Sequence, residues 1–454
     1  MKSDIVIIGA GLTGLTTGFH LNNKGKKILI VEQSNSIGGQ IHSFTEEGFT
    51  FESGPNTGII SHPEVAELFT ALKGKCKLET AHDEAKRRLI WKGNKFHALP
   101  SGPLSAIFTP LFTLKDKFRI LGEPLRAKGN NPHESVGELA RRRLGQSFVD
   151  YAVDPFLSGV YAGDPMQLTT KYALPKLYNL EQNYGGFIKG SIAKAKLPKT
   201  DRDKLATKKV FSVAGGLENL AKALAQAIGQ DNFILSAKDA RISRTSDGKW
   251  KVECHTPSGP TVIEANKVIT TVGAYALPSL LPFVDTNDMN KISSLFYAPI
   301  IQVSVGVKDT GDLKFNAFGG LVPSKEKKEV LGILYPSACF DNRAPKRGVL
   351  FSFFIGGVRH PEMLKKSDDE LKAIVNRVFH TMLKFPANKQ PDLIKIFRHL
   401  HAIPQYRADS GERFATIDKI ENEHPGLIIG GNLKGGIGMA DRILQGTQLA
   451  QRAE

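Results

Sequence analysis

The stretch Asp4-Ile-Val-Ile-Ile-Gly9-Ala10-Gly11-Leu12-Thr13-Gly14, with Ile28-Leu-Ile-Val-Glu32-Gln33 behind it, decides the fold. An apolar run ends in a Gly-x-Gly-x-x-Gly turn, a helical stretch follows, and a second apolar run closes on an acid. This order is the strand, glycine turn, helix and strand of a dinucleotide-binding βαβ unit. Gly9 permits the tight turn, Gly11 lets the backbone approach a pyrophosphate, and Gly14 lets helix and strand pack closely. Ala10, Leu12 and Thr13 complete the turn, whose helix N-terminus favours phosphate charge. Glu32, with Gln33 beside it, accepts hydrogen bonds from a ribose diol.

The segments that follow select the dinucleotide. Ile37-Gly38-Gly39-Gln40-Ile-His42-Ser43 lies just beyond Glu32, and Phe51-Glu-Ser-Gly54-Pro55-Asn56-Thr57 comes next. They resemble the Gly-Gly signature and the Gly-Pro turn of the flavin amine oxidase and protoporphyrinogen oxidase superfamily. That resemblance implies FAD, with the glycine-rich chain running along the pyrophosphate and under the flavin. Many relatives carry Arg or Lys where Gln40 stands, so the backbone contact is expected to persist without the side-chain charge.

The chain has 454 residues, enough for two or three domains, and 41% of them are hydrophobic. Cys76, Cys254 and Cys339 are far apart, which excludes a disulfide scaffold and a Cys-rich metal site and fits a reducing compartment. Met1-Lys-Ser-Asp4 runs straight into the first strand and leaves no room for a targeting peptide, so the expected location is cytoplasmic. No apolar run approaches the roughly 20 residues needed to cross a bilayer. The formal charge of +16 is spread along the chain without a nucleic-acid-binding module. Attraction to an anionic membrane surface or anionic substrate accounts for it more economically than nucleic acid does.

The nucleotide domain is expected to be discontinuous: residues 1–85, 206–285 and 416–454. Val210 to Leu224 reads as a glycine turn entering an amphipathic helix, and short strands follow as far as Val272. Within them Ala240 matches a superfamily position that packs on adenine. Pro425-Gly-Leu427-Ile-Ile-Gly430-Gly431-Asn432 is a strand ending in a turn, and Gly435-Gly436-Ile437-Gly438-Met439 starts a last helix. A glycine turn at a helix N-terminus suits the N1–C2=O edge of a flavin. It contains no Cys or His, so FAD is expected to be non-covalent. Residues 86–100 and 286–415 are expected to form a substrate domain on a mixed sheet, and 101–205 a helical insertion. The fold class is α/β, Rossmann-type.

Asp154-Pro155-Phe-Leu-Ser158-Gly159-Val160-Tyr161-Ala162-Gly163-Asp164-Pro165 is the most specific stretch outside the nucleotide segments. It resembles the Pro-Phe-x-x-Gly-Val-x-Ala-Gly-Asp-Pro motif of protoporphyrinogen oxidases, in which the glycine matching Gly159 lies beside the tetrapyrrole facing the flavin. In Lys86-Arg87-Arg88-Leu-Ile-Trp91-Lys92, the resemblance assigns Arg87 to a substrate propionate, a pairing suited to an Arg–carboxylate fork. Leu321 and Leu334 match residues that sandwich one pyrrole, and Phe354 matches one that stacks on another. A macrocycle of that size needs such apolar walls. His399 and His401 have no acid or Cys at ligand spacing and read as strand residues on one face.

By resemblance the chain is an FAD-dependent protoporphyrinogen-type oxidase. Hydride passes from a methylene bridge to flavin N5, oxygen restores the flavin, and three cycles remove six electrons. Coproporphyrinogen III is the alternative substrate, with Lys86 and Arg88 as extra cations for its added propionates. A flavin amine oxidase, a carotenoid desaturase, and a non-catalytic flavoprotein or porphyrin carrier are more distant readings. A homodimer is compatible with the sequence.

Leu104, Ile107, Phe108, Leu111 and Phe112 fall on one helical stripe, which Pro110 is expected to break. Lys115, Lys117 and Arg119 follow. This pattern suits a segment lying in a membrane interface on the inner face of the cytoplasmic membrane.

Overall fold

The computed structural model describes residues 1–454, the Pro103 side chain excepted. The strand Lys2–Ile8 lies between Ile28–Val31 and the long strand Gly259–Thr270, parallel to both. Its residues alternate between two cores: Ile5 and Ile7 on one face, Val6 and Ile8 on the other. A strand covered on both sides reads as a continuous apolar run, as this one does. The first face is packed by the helices Leu12–Asn23, Glu218–Ile228 and Met439–Ala453. Gly259–Thr270 serves three neighbours. Its first half pairs antiparallel with Trp250–Thr256, and its second half pairs with Lys2–Ile8 and with Leu427–Ile429. Three distant stretches of chain therefore close one sheet.

A second seven-stranded sheet runs in the order Leu393–Pro404, Tyr297–Val307, Val349–Gly356, Gly332–Leu334, Gly319–Leu321, Arg88–Lys92, Lys95–Ala98. Only Gly319–Leu321 and Arg88–Lys92 pair in parallel, so the sheet is mixed. Val303, Val305, Phe351 and Phe353 point to its back face, where helix Asp368–Thr381 contributes Leu371, Ile374, Val375 and Val378 to one core. Because side chains alternate along a strand, Gln302, Ser352 and Phe354 point the other way, Gln302 and Ser352 reaching the Glu52–Asn56 segment.

Most of the chain between 103 and 204 is helical. The wide-turned segment Val149–Val153 runs directly into helix Asp154–Tyr161. Among the described residues no helix is long and apolar enough to cross a membrane.

Candidate active site

The glycine turn has the geometry of a phosphate cradle. Gly9 takes φ +104°, and a Cβ on Gly14 would lie 2.0 Å from the carbonyl oxygen of Gly9, so neither position tolerates a side chain. At Gly11 the opposite holds: nothing lies within 4 Å of an added Cβ, and the space in front of the turn is open. Gly11 caps the helix without a side-chain bond, leaving the helix N-terminus to a ligand. Ala10, Leu12 and Thr13 are buried behind it.

Glu32 is 8% exposed and held at both oxygens, Oε2 accepting from Ala10 N at 2.8 Å and Oε1 from Ser34 N at 2.8 Å. Each oxygen keeps lone pairs for a diol. Gln33 is exposed beside it. Ala240 lies on strand Lys238–Arg244, at the bulge between the pairs of Lys238 and Arg241, against the second core. The nearer neighbours of Glu32 are Ile234, whose oxygen accepts from Glu32 N, and Ala237, whose N–H reaches Glu32 O.

The Gly-Gly loop and the Gly-Pro turn pack on each other. Gly11 bridges Gly38, a Cβ on Gly39 would sit 3.2 Å from Gly11 Cα, and one on Gly54 would sit 2.1 Å from Gln40 O. The Gln40 side chain turns away to donate to His401 O at 3.1 Å. Pro55 and Thr57 are half-buried in the same turn. The front of the second sheet pins this turn with three bonds. Gln302 Nε2 donates to Glu52 O at 2.6 Å, His399 Nε2 meets Ser53 O at 2.6 Å, and Ser352 Oγ donates to Asn56 Oδ1 at 2.7 Å. His399 is thus a structural tie, and His401 stacks on Tyr275 at 4.2 Å between centroids.

Two tyrosines hold the C-terminal turn. Tyr297 Oη donates to Asn432 Oδ1 at 3.0 Å, and Tyr406 Oη to the carbonyl oxygens of Asn432 at 2.7 Å and Gly436 at 3.0 Å. Gly438 caps helix Met439–Ala453, and Met439 is buried. Ile437 packs on the cluster that contains Leu157 and Tyr161. The glycine turn and the helix that carries Gly159 therefore share one apolar cluster, with Tyr406 in it.

That helix also meets the second sheet. A Cβ on Gly159 would come 2.4 Å from Leu321 Cδ2. Leu321 pairs with Gly332, Gly332 with Phe354, and Leu334 with Ser352 and Gly319, so Leu321, Leu334 and Phe354 share the front face with Ser352. All three are half-buried. The three residues that the sequence expectation joined in a wall lie on the face that pins Asn56.

Arg87 is not part of it. The parallel register sets Gly319 beside Arg88 and Leu321 beside Ile90, which places Arg88 on the front face. Arg87 and Leu89 alternate to the back, where with Phe96, Phe315 and Tyr335 they line a separate cavity of about 190 Å³. Lys86 belongs to the preceding turn and pairs with Asp83 at 2.7 Å. Of the three adjacent cations the geometry brings only Arg88, whose Cζ lies 5.3 Å from the Phe318 ring centre, to the front. Arg87, expected from sequence at the substrate, thus lies on the opposite face of the sheet from Leu321 and Leu334.

Arg359 was not visible in the sequence. It pairs with Asp154 at the start of the Gly159 helix and with Asp164, 2.9 Å, beyond its end. Asp154 Oδ2 also accepts from Ser324 N at 2.7 Å and Ser324 Oγ at 2.9 Å. One guanidinium thus clasps both ends of the helix to the loop that follows the Phe354 strand, and Asp154 ties its start to the loop that follows the Leu321 strand. Burial opposes its charge, but the two carboxylates outweigh burial and raise its pKa.

The comparisons with known proteins agree with this geometry. Residues 12–452 match the family described as flavin containing amine oxidoreductase. The chain is 30% identical to a chloroplastic protoporphyrinogen oxidase of Nicotiana tabacum, over 98% of its own length and 84% of the relative's. It is 28% identical to protoporphyrinogen oxidase 2 of Arabidopsis thaliana, over 98% and 92%. Among solved structures it is similar to an Exiguobacterium sp. 255-15 protein provisionally assigned as a protoporphyrinogen oxidase. There the TM-score is 0.82 at 21% identity, covering 99% of this chain and 98% of that one, a likeness of fold.

Proposed function

The chain belongs to the flavin containing amine oxidoreductases and, within them, to the protoporphyrinogen oxidases, and on that premise we propose how its residues serve FAD-dependent oxidation of protoporphyrinogen IX. One observation carries the reading: Gly159, Leu321, Leu334, Phe354 and Arg88 converge on the sheet face that pins the Gly54–Asn56 turn.

Gly9, Gly11 and Gly14, with the N–H groups at Leu12 and Thr13, would hold the pyrophosphate, while the Ala10 N–H keeps Glu32 in place beside it. Glu32 holds the adenosine ribose, with Gln33 and Ala240 on the adenosine side. Gly39, Gln40, Gly54, Pro55, Asn56 and Thr57, together with Asn432, Ile437, Gly438 and Met439, would hold the flavin. FAD supplies the hydride acceptor that these side chains lack. Leu321 and Leu334 form an apolar wall for one pyrrole, Phe354 stacks on another, and Gly159 keeps the edge of that wall thin. Arg88 holds a propionate in place of Arg87. Oxygen is the electron acceptor.

Lys86 is paired with Asp83 and Arg87 faces the back, so of the three adjacent cations only Arg88 is left for a propionate. This favours the dicarboxylate protoporphyrinogen IX over the tetracarboxylate coproporphyrinogen III. Turnover of both by the purified holoenzyme, side by side, tests the choice, and a clear preference for coproporphyrinogen reverses it.

The helical region is proposed to dock on an anionic membrane. Leu104, Ile107, Phe108, Leu114, Phe118, Leu121 and Leu125 all stand mostly in solvent within one short segment. A patch of this kind marks an interaction surface. The chain leaves its first short helix, Pro103–Phe108, just ahead of Pro110. Leu111 and Phe112 do not belong to the patch: Leu111 is fully buried, and Phe112 stacks on Phe148 at 3.8 Å.

A further inference from the structure

Arg442 occupies a place that ordinary packing does not explain. It is the fourth residue of the 15-residue helix Met439–Ala453, at the end where the backbone dipole is positive and a cation is disfavoured. It is also 9% exposed. A buried guanidinium normally has a carboxylate partner. Here Nη1 donates to Gln445 Oε1 at 2.8 Å and Nη2 to Lys434 O at 3.0 Å, while Nε has no partner. The neighbouring acid, Asp441, is occupied elsewhere, accepting from His62 at 3.0 Å and from Gly438 N at 3.1 Å. Tyr406 and Tyr297, the other titratable groups that face Arg442, are buried and un-ionised. Two placements unfavourable to a cation thus coincide, and the one carboxylate nearby, Asp441, acts on Arg442 only through space, its bonds going to His62 and Gly438. The guanidinium lies directly under the glycine turn: a Cβ on Gly435 would meet Arg442 Nη2 at 3.4 Å.

We propose that Arg442 is the electrostatic partner of the bound flavin ring, stabilising the anion that the ring becomes on reduction and thereby raising its reduction potential. The inference rests on the reading above that the Gly435–Met439 turn approaches the N1–C2=O edge. A hydride carries two electrons and one proton to N5, and the substrate carbon loses them. The ring then bears one more negative charge, delocalised over N1–C2=O, and the buried cation and helix N-terminus are aimed at the same charge. In a low-dielectric interior such a charge acts through several ångströms of turn without touching the ring.

Sulfite tests this without turnover. Its sulfur lone pair forms a bond to oxidised flavin N5 and leaves the negative charge on the same edge. Arg442→Gln keeps a side chain that can bond Lys434 O but removes the charge, whereas Arg442→Lys keeps the charge and loses the fork. The Gln variant with FAD bound is expected to bind sulfite at least about tenfold more weakly. That is about 1.4 kcal/mol, or about 30 mV in a two-electron potential. The Lys variant should stay near wild type. Equal sulfite affinity in wild type and Gln variant, or equal losses in Gln and Lys, overturns the proposal and leaves Arg442 as a brace for the turn. Should neither variant fold, the wild-type reduced flavin decides. Its spectrum should remain that of the anion as pH falls through the range where free reduced flavin takes up its N1 proton, and a neutral spectrum overturns the proposal. A purified protein that holds no flavin would instead remove the cofactor reading itself.

Discussion

Gly159 has no side chain because Leu321 already fills that space. An added methyl would push Leu321 off the sheet and into the space assigned to substrate, and overpacking of this kind costs about 1–3 kcal/mol. Gly159→Ala is therefore expected to keep its FAD and lose about tenfold or more in kcat/KM. Unchanged kinetics would take Gly159 out of the site. Arg88→Ala should raise KM for the porphyrinogen by about ten- to a hundredfold, the value of a charge-assisted pair of about 1.5–3 kcal/mol. Arg87→Ala should leave KM near wild type, and the reverse outcome would return the anchor to Arg87. Three cations in a row give no period from which a face can be read. The register that separates Arg87 from Arg88 is set by strand Gly319–Leu321, more than two hundred residues away. The glycine fingerprint and Glu32 were legible because their partners are local in sequence.

At the level of elements, the segment from Phe49 to Asn56 carries much of the organisation. Strand Phe49–Glu52 is buried throughout, and Glu52 accepts from Leu217 N at 2.9 Å and Ser43 Oγ at 2.5 Å. Burial pushes its pKa up to about 7, against the lowering effects of those bonds and of Arg343. The folded state therefore holds this proton more tightly than the unfolded chain does. The stability it lends is complete below the unfolded value near 4.5 and is lost as pH rises through about 7. The loss is roughly 3 kcal/mol. Thermal unfolding of wild type and Glu52→Gln between these limits should show the slope in the wild type alone, and parallel curves would exclude Glu52 as its source. Neither this acid nor the ties from Gln302, His399 and Ser352 carries a motif, because each bonds across more than 150 residues. Arg359 escaped for the same reason, although the two aspartates it clasps lie inside the most recognisable stretch of the chain.

Over the whole molecule, the surface carries both a +16 charge and one concentrated apolar patch. Lys117 donates to the carbonyl oxygens of Ile107 and Thr109, and Arg119 to that of Arg142, so these cations brace the segment as much as they present charge. Phe108, 80% exposed, and Phe118, 70% exposed, should then dominate docking. Burying each is worth about 1.5–3 kcal/mol. Phe108→Asp with Phe118→Asp should abolish flotation with anionic vesicles while FAD stays bound, and high salt should weaken flotation less than this double change does. A wild type that ignores such vesicles at low salt would assign the patch another role. The helical character of this region was legible in the sequence. The split of one apolar stripe into an exposed part and the buried Leu111–Phe112 part was not, because it depends on Phe148 and Tyr151 arriving from the next helices. The first sheet has a further consequence, for synthesis. Lys2–Ile8 is made well before its partner Glu264–Thr270, which follows some 260 residues later, and Thr17 of helix Leu12–Asn23 awaits Gly446 of helix Met439–Ala453. Such long separations slow folding and leave one side of that apolar strand without its partner while the chain is made. The nucleotide cradle is completed only when residues 439–453 dock, so the nascent chain should depend on chaperones and capture FAD after release. A chain ended at residue 430 should stay protease-sensitive and flavin-free at any FAD concentration; a compact yellow product from it would show that the sheet closes without its last helix.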